Sequence, residues 1–168
     1  SINHLLYISS DNGATNTYSN TSSYYTTNSV WAYRDIYINP AYDTTYISFD
    51  CRVNGDYYDN LKVFVANCVT PSGGSTPQNA TVLINGLYGQ SSWQHHVYAI
   101  PSSAGGLRRL FFLWSNDSYD IYNPPAAIDN IEIANKLYSL PQNLAATVID
   151  TAAILSWQHS SGEAPSSY

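Results

Sequence analysis

Apolar and polar residues alternate along several stretches of this chain, which is the pattern of a strand with one covered face. The clearest stretch is 46–53, where every second side chain is apolar (Ile47, Phe49, Cys51 and Val53). Residues 107–114 end apolar on both faces, which predicts a central strand covered on both sides. Further strand-like stretches are 5–8, 30–38, 61–65, 80–84, 93–100 and 127–133. Turn residues separate them, so we predict an all-β fold, an antiparallel β-sandwich of the jelly-roll type.

Residues 54–60 are rich in turn residues, so we expect a hairpin that pairs the strands on either side. Simple register in that hairpin leaves Cys51 and Cys68 too far apart for a disulfide. Two unpaired, partly buried thiols are therefore favoured, and a bridge that needs the chain to fold back is the alternative.

The character of the chain changes after Ala134, where a short linker precedes two more strand-like stretches. Roughly 30 residues cannot close a sandwich of their own. We therefore predict a jelly-roll domain over 1–135, a linker over 136–141 and a partial second β-sandwich over 142–168. The chain begins at Ser1 and shows no signal peptide, so we expect a processed product or a piece of a larger protein.

The composition of the chain limits the classes of function that we expect for it. Charged residues make up 11% of the chain and aromatic residues 14%, a balance that suits an extracellular β-rich protein. The net charge of −6 argues against nucleic acid as a partner. No apolar run approaches the ~20 residues of a membrane helix, so no membrane insertion is expected. Nucleophile-elbow, zinc-protease and phosphate-loop motifs do not occur, so we expect no enzyme.

Asp129 stands at the start of the last strand-like stretch of the first domain. Strict alternation puts it on the same face as Ile131 and Ile133, so we expect this carboxylate on the core side. A buried carboxylate must be paired, hydrogen-bonded or bound to a cation. The residues alone leave two alternatives, a carboxylate that caps loop amides and one that binds a metal. Asp117 and Asp120 are weaker candidates for the second role.

Residues 14–29 contain almost no aliphatic side chains, which predicts a long surface loop, a common place for function. Tyr18, Tyr24 and Tyr25 lie in this loop, and we expect them to be exposed and to bind a glycan or a protein. The tryptophans of the strands are interpreted as core residues instead.

Three segments along the first domain resemble a known pattern: 6–14, then 48–52 with 58–63, then 93–131 ending in Ala127-Ile128-Asp129-Asn130-Ile131. They are similar to the MAM-like jelly-roll modules of bacterial surface proteins, including the cleaved-adhesin domains of gingipain-type proteases. The tail, 140–144 with 153–157, resembles the first two strands of a fibronectin type III domain.

This resemblance implies a non-catalytic adhesion module, secreted or on the bacterial cell surface, with structural calcium. It implies other domains or chains of the same surface protein as partners, together with a host or glycan ligand. In such modules an early turn and the closing strand share the cation, which corresponds here to Asp11, Asn12, Gly13 and Asp129. Family members also carry a further N-terminal strand, whereas here only residues 1–4 precede the first strand-like stretch. Either that strand lies on a piece removed from this chain, or the edge is left open and could accept a strand from a partner. A carbohydrate-binding module attached to a secreted hydrolase is the alternative function.

Overall fold

The computed structural model describes residues 5–19, 27–102, 105–136, 142–149 and 152–158. These residues form ten β-strands and no helix. The strands are β1 (Leu6–Tyr7), β2 (Asn28–Ile38), β3 (Thr44–Val53), β4 (Asn60–Ala66), β5 (Thr81–Leu87), β6 (Gln90–Pro101), β7 (Gly106–Asn116), β8 (Ala127–Lys136), β9 (Gln142–Ile149) and β10 (Ala152–Gln158).

Eight of these strands form two antiparallel sheets that pack face to face. The first sheet has the order β1-β8-β3-β6 and the second has the order β2-β7-β4-β5. The core between them is formed by aliphatic and aromatic side chains, among them Ile47, Phe49, Val53, Leu61, Val63, Leu110, Phe112 and Trp114. The prediction of an all-β antiparallel sandwich is therefore confirmed. The jelly-roll connection pattern stays a prediction.

Strand β3 shows how the alternating sequence becomes a layer. Its buried and partly buried residues alternate along the whole strand, with Phe49 and Cys51 fully buried and Asp50 between them on the other face. Phe49 meets Phe112 of the opposite sheet edge-on, with ring centroids 5.5 Å apart. This contact joins the two layers near the middle of the sandwich.

Strand β7 is covered on both faces, as the sequence predicts. It lies between β2 and β4, and its outward-facing Phe111 and Leu113 are buried in a second apolar cluster. The segment 67–80 closes over that cluster, where the indole Nε1 of Trp31 donates to the carbonyl oxygen of Gly73 at 2.6 Å. Within the described residues, this loop covers one half of the outer face of the second sheet and leaves the other half open.

The expected hairpin between 46–53 and 61–65 is wrong. β3 belongs to the first sheet and β4 to the second, so residues 54–59 cross from one layer to the other. β4 is buried on both faces along most of its length, so it needs a position inside a sheet with cover on each side. Alternation along β3 identifies a covered face but does not identify a neighbouring strand.

The two cysteines are unpaired, as predicted, with Cys51 buried and Cys68 exposed. Burial raises the pKa of the Cys51 thiol to about 12, so this side chain packs as a neutral group at physiological pH.

Strands β9 and β10 form a separate two-stranded antiparallel ladder, in which Ala152 pairs with Ile149 and Ser156 with Ala145. The two strand-like stretches expected after the linker are therefore present as strands. The domain boundaries and the fibronectin type III resemblance stay predictions.

Candidate functional site

Asp129 does not lie on the core face. Ile128 is buried in the core, whereas Asp129 is half-buried and its Oδ1 accepts the Asn130 backbone N–H at 2.8 Å. The cause is an extra residue in β8: Asp50 pairs with Asp129 and Ser48 with Glu132, and Asn130 has a φ of +51°. This bulge reverses the alternation, so the expectation of a core-facing Asp129 is wrong.

Asp11 lies in an exposed turn that its own carboxylate holds together. Oδ1 accepts the Ser9 hydroxyl at 2.6 Å and the Thr15 backbone N–H at 2.9 Å, and Oδ2 accepts the Thr15 hydroxyl at 2.6 Å. These hydrogen bonds, above all the one from Ser9, lower the pKa of Asp11 to about 2. Asp11 thus caps the donors of its own turn, and a calcium ion bound to its carboxylate would have to displace them.

The structure does not bring Asp11 and Asp129 together. β1 runs antiparallel to β8, with Leu6 opposite Ile128 and Tyr7 opposite Ala127, so the chain from Leu6 toward Asp11 leads away from Asp129. Asn12 and Gly13 complete the turn, both in the left-handed region, at φ +58° and +84°. The part of the chain that is described contains no group of three His, Cys, Asp or Glu side chains that could hold a metal ion. Calcium binding by Asp11, Asn12, Gly13 and Asp129 stays a prediction.

Tyr18 is buried, which corrects its expected exposure. Its side chain is 5% exposed and its ring meets Trp114 edge-on, with centroids 5.4 Å apart. The hydroxyl explains the burial, because it donates to Asp59 Oδ2 and accepts the Tyr122 backbone N–H at 2.7 Å. Tyr24 and Tyr25 lie outside the described residues.

Asp59 is the buried carboxylate of the sandwich, with an exposed fraction of 1%. Besides the Tyr18 hydroxyl it accepts the Asp117 backbone N–H at 2.9 Å, so both of its oxygens are used. Burial raises the pKa of Asp59, and these two hydrogen bonds partly oppose that rise. We call Tyr18, Asp59, Asp117 and Tyr122 the Asp59 network.

The Asp59 network fixes the 54–59 loop where it enters β4. Asp56 Oδ1 accepts the backbone N–H groups of Tyr58 and Asp59 at 2.8 and 2.9 Å, which closes the loop into a turn. Gly55 makes the turn possible, because a Cβ at this position would lie 2.0 Å from the Asp59 carbonyl oxygen. The loop therefore has one tight shape, and it presents the side chains of Tyr57 and Tyr58 outward.

A cleft of about 400 Å³ opens beside this loop on the uncovered half of the second sheet's outer face. Three tyrosines line it, Tyr57, Tyr58 and Tyr88, with 70%, 61% and 45% of their surfaces exposed. The rings of Tyr57 and Tyr58 are perpendicular, with centroids 5.1 Å apart. We call this feature the tyrosine cleft.

The floor of the tyrosine cleft is polar because of the register of the second sheet. Ser115 of β7 pairs with Ser29 of β2 on one side and with Asn60 of β4 on the other, which gives a row of hydroxyl and amide groups. Lys62 and Asn85 form the next pair, across β4 and β5. The inward side chains between these positions of β4 and β7, Leu61 and Trp114, belong to the core. Alternation along these two strands therefore sets Asn60, Lys62 and Ser115 on the outer face.

Asn60 anchors the floor to the 54–59 loop. Its Nδ2 donates to the carbonyl oxygen of Tyr57 at 2.7 Å, which fixes the orientation of the amide. Its Oδ1 is shielded from solvent, with no hydrogen-bond partner among the described residues. Gly86, at φ +101°, is a neighbour of that oxygen, since a Cβ at this position would lie 3.6 Å from it. The result is an unused acceptor just beneath the cleft surface.

The charge of the tyrosine cleft differs from that of the chain. Lys62 is the one charged side chain among the described residues that line the cleft, in a protein with a net charge of −6. No ion pair or hydrogen bond joins its ammonium group to another part of the described chain. Asp56 and Asp59 are near in sequence, but neither lines the cleft. Asp56 Oδ1 accepts hydrogen bonds within the loop, and both oxygens of Asp59 accept hydrogen bonds within the Asp59 network.

The tyrosine cleft is not among the sites predicted from the sequence, although part of the signal for it is present there. Tyr57 and Tyr58 lie in a polar, turn-rich segment, as Tyr24 and Tyr25 do. The predicted hairpin gave no reason to prefer Tyr57 and Tyr58 over Tyr24 and Tyr25, because it did not show that residues 54–59 pass beside the outer face of the second sheet. Tyr88 and Ser115 are distant in sequence and meet the loop only through the sheet register.

No protein-family model matches the chain. A search of curated proteins gave no match either. Among the described residues there is no helix long and apolar enough to cross a membrane. The functional argument therefore rests on the geometry and chemistry of the tyrosine cleft.

Proposed function

We propose that the sandwich is a non-catalytic binding module of a larger extracellular or surface-anchored protein, and that it binds carbohydrate through the tyrosine cleft. The observation that carries this proposal is the group of three exposed tyrosine rings above a floor of hydroxyl and amide groups. These rings and polar groups favour carbohydrate binding, the alternative to the adhesion module expected from the sequence.

The chemistry of the cleft suits a sugar. A pyranose ring presents C–H groups that pack on the face of an aromatic ring, and hydroxyl groups that need donors and acceptors around them. Tyrosine supplies a large, rigid contact at low entropic cost, while serine and asparagine supply adaptable hydrogen bonds. Ser29, Ser115 and Asn85 are placed to make such bonds beside the rings of Tyr57 and Tyr88.

Binding fits the cleft better than hydrolysis does. Glycoside hydrolysis generally uses two carboxyl groups on opposite sides of the scissile bond. None of the described residues that line the tyrosine cleft is an Asp or a Glu. The nearest buried carboxylate, Asp59, has both oxygens occupied within the Asp59 network.

Affinity electrophoresis of the whole chain in gels that contain one polysaccharide each tests this function. The panel holds mixed-linkage β-glucan, mannan, galactan, glucuronoxylan and polygalacturonate. We expect at least one polysaccharide to retard the protein, and the double variant Tyr57→Ala, Tyr58→Ala to migrate freely. Tyr37→Ala is the matched control, because Tyr37 is 60% exposed on β2 and lies outside the cleft.

Two results would overturn the proposal. Silence across the panel, extended to a printed array of host and bacterial glycans, would remove carbohydrate as the ligand. Retardation that survives loss of Tyr57 and Tyr58 but disappears in Tyr24→Ala, Tyr25→Ala would move the binding site to the loop named from the sequence.

Calcium belongs to the proposal only through the family resemblance. A melting temperature that falls on addition of a chelator and returns with calcium would support it. A melting temperature that does not respond to a chelator would remove it without affecting the carbohydrate proposal.

A further inference from the structure

We infer that the tyrosine cleft selects acidic saccharides, those that carry a carboxylate on the sugar, and that Lys62 is the residue that determines this selection. This inference rests on the proposed function and adds the chemical class of the ligand. It starts from a contrast in charge between the cleft and the rest of the molecule.

The chain has 12 acidic and 6 basic side chains, so most of its surface repels anions. Among the described arginines, Arg109 is paired with Asp35 at 2.5 Å, and the guanidinium of Arg52 lies over the Trp93 ring at 5.3 Å from its centroid. Neither an ion pair nor a ring contact within the described chain involves Arg34, Arg108 or Lys62, and of these three cations Lys62 alone lines the tyrosine cleft.

The sheet register holds Lys62 in the cleft floor. It is the second outward residue of β4, two positions after Asn60, and it pairs with Asn85 of β5 and with Leu113 of β7. Its side chain is half-buried and lines the cleft, and a long lysine side chain packs its apolar stem on a surface while its ammonium group stays accessible to a ligand. A carboxylate bound there would meet one cation, with no carboxylate among the lining residues to oppose it.

The surroundings favour a sugar acid over a simple anion. The ammonium group of lysine is a point charge that can donate to a carboxylate in many orientations. It therefore favours an anionic ligand but does not by itself fix the orientation of that ligand. The rings of Tyr57, Tyr58 and Tyr88 then select a partner with a flat, partly apolar face. A uronic or sialic acid residue has both features, whereas an acidic peptide lacks the ring.

Matched ligand pairs test the inference. Trigalacturonate is compared with its fully methyl-esterified form, and 3′-sialyllactose with the methyl ester of its sialic acid carboxylate, by isothermal titration calorimetry of the whole chain. We expect the acidic member of at least one pair to bind about fivefold more tightly, the effect of one partly screened ion pair. The preference should shrink as sodium chloride rises from low ionic strength toward 1 M, where the Debye length is about 3 Å.

Variants assign the effect to Lys62. Lys62→Gln should bind both members of the pair equally, and Lys62→Arg should keep the preference. Arg108→Gln is the matched control, since it removes the same charge from the opposite end of β7 and should change nothing. An unchanged far-ultraviolet spectrum and melting temperature for Lys62→Gln exclude misfolding as the cause.

The outcomes separate this inference from the proposed function. Equal affinity for both members of each pair, with binding still lost in Tyr57→Ala, Tyr58→Ala, would overturn the inference and leave carbohydrate binding standing. Equal affinity for poly-glutamate and for the acidic saccharides would also overturn it, because charge alone would then explain binding. Silence toward every saccharide would overturn both.

Discussion

Two carboxylates, Asp11 and Asp59, each hold a loop of this domain, in opposite surroundings. Asp11 is exposed and its partners, Ser9, Ala14 and Thr15, lie within four positions in the sequence. Asp59 is buried, and its partners Tyr18 and Asp117 lie 41 and 58 positions away. The first loop is therefore folded by itself, whereas the second is folded by the rest of the domain.

This difference explains why the tyrosine cleft lies beside Asp59. A loop whose carboxylate bonds only to residues nearby in the sequence can change its conformation without disturbing the sheets. A loop tied to Tyr18 and Asp117 keeps Tyr57 and Tyr58 in a fixed position above the second sheet. Preformed sites of this kind lose less entropy when a ligand binds.

The largest expected effect compares two glycines. In Gly55→Ala the new Cβ would lie 2.0 Å from the Asp59 carbonyl oxygen, so the backbone must move, at a cost of about 3 kcal/mol in the free energy of unfolding. In Gly13→Ala nothing lies within 4 Å of the new Cβ, and only the left-handed φ of +84° costs about 1 kcal/mol. Urea denaturation of both variants measures the difference, and equal losses would show that the 54–59 loop is not tightly packed.

The next largest effect is expected when each of the two carboxylates is removed. Asp59→Ala leaves the Tyr18 hydroxyl and the Asp117 backbone N–H without their acceptor, so we expect a loss of about 2 to 3 kcal/mol in the free energy of unfolding. Asp11→Ala removes the acceptor from an exposed turn, whose donors can then bond to water. The loss in the free energy of unfolding should therefore be clearly smaller. The same denaturation experiment decides, and a larger loss for Asp11→Ala would contradict the assignment of Asp59 as the anchoring group.

As the pH falls, the contributions of Asp11 and Asp59 to the free energy of unfolding should change in opposite directions. The pKa of Asp11 is lowered to about 2 from 3.8, so its contribution is present above pH 3.8 and is lost as the pH falls toward 2. The pKa of Asp59 is raised above 3.8, so its contribution is greatest below 3.8 and falls as the pH rises through its folded value.

Urea midpoints measured across the acid range for the wild type and two variants check these signs. Asp11→Asn should remove part of the rise in stability between pH 2 and 4, and Asp59→Asn should remove part of the fall above pH 4. Matching pH profiles for the two variants would contradict the account.

The smallest effect separates the Tyr18 hydroxyl from its ring. Tyr18→Phe keeps the contact with Trp114 but removes one donor and one acceptor, at a cost of about 1 kcal/mol. A loss as large as that of Asp59→Ala would mean that the two residues act as a single unit, and the double variant would then show no further loss. Thermal denaturation is sensitive enough for this comparison.

The strands were predictable because their signals are local. Alternation at Phe49 and Cys51 identifies β3, and the doubly apolar end of 107–114 identifies a central strand. The bulge at Asn130 was not predictable, because one extra residue reverses the face of Asp129 without changing the composition. The burial of Tyr18 depends on Asp59, 41 positions away, and no local pattern contains that pairing.

The tyrosine cleft was hidden for the same physical reason. Its side chains come from the 54–59 loop, from β2, β4, β5 and β7, and from the turn after β5, so only the order of the second sheet brings them together. Aromatic residues in polar loops are good candidates for exposed ligand contacts, and Tyr18 was predicted to be one on this ground. The Asp59 network buries Tyr18 instead.

Nuclear magnetic resonance of the ¹⁵N-labelled chain, titrated with the oligosaccharide of highest affinity from the gel panel, locates the saccharide on the domain. We expect shifts for the backbone amides of Tyr58, Lys62 and Ser115 and for the side-chain amide of Asn85, with Asp11 and Gly13 unchanged. Shifts confined to the Asp11 turn, or the absence of any response at the tyrosine cleft while the saccharide binds, would contradict this expectation.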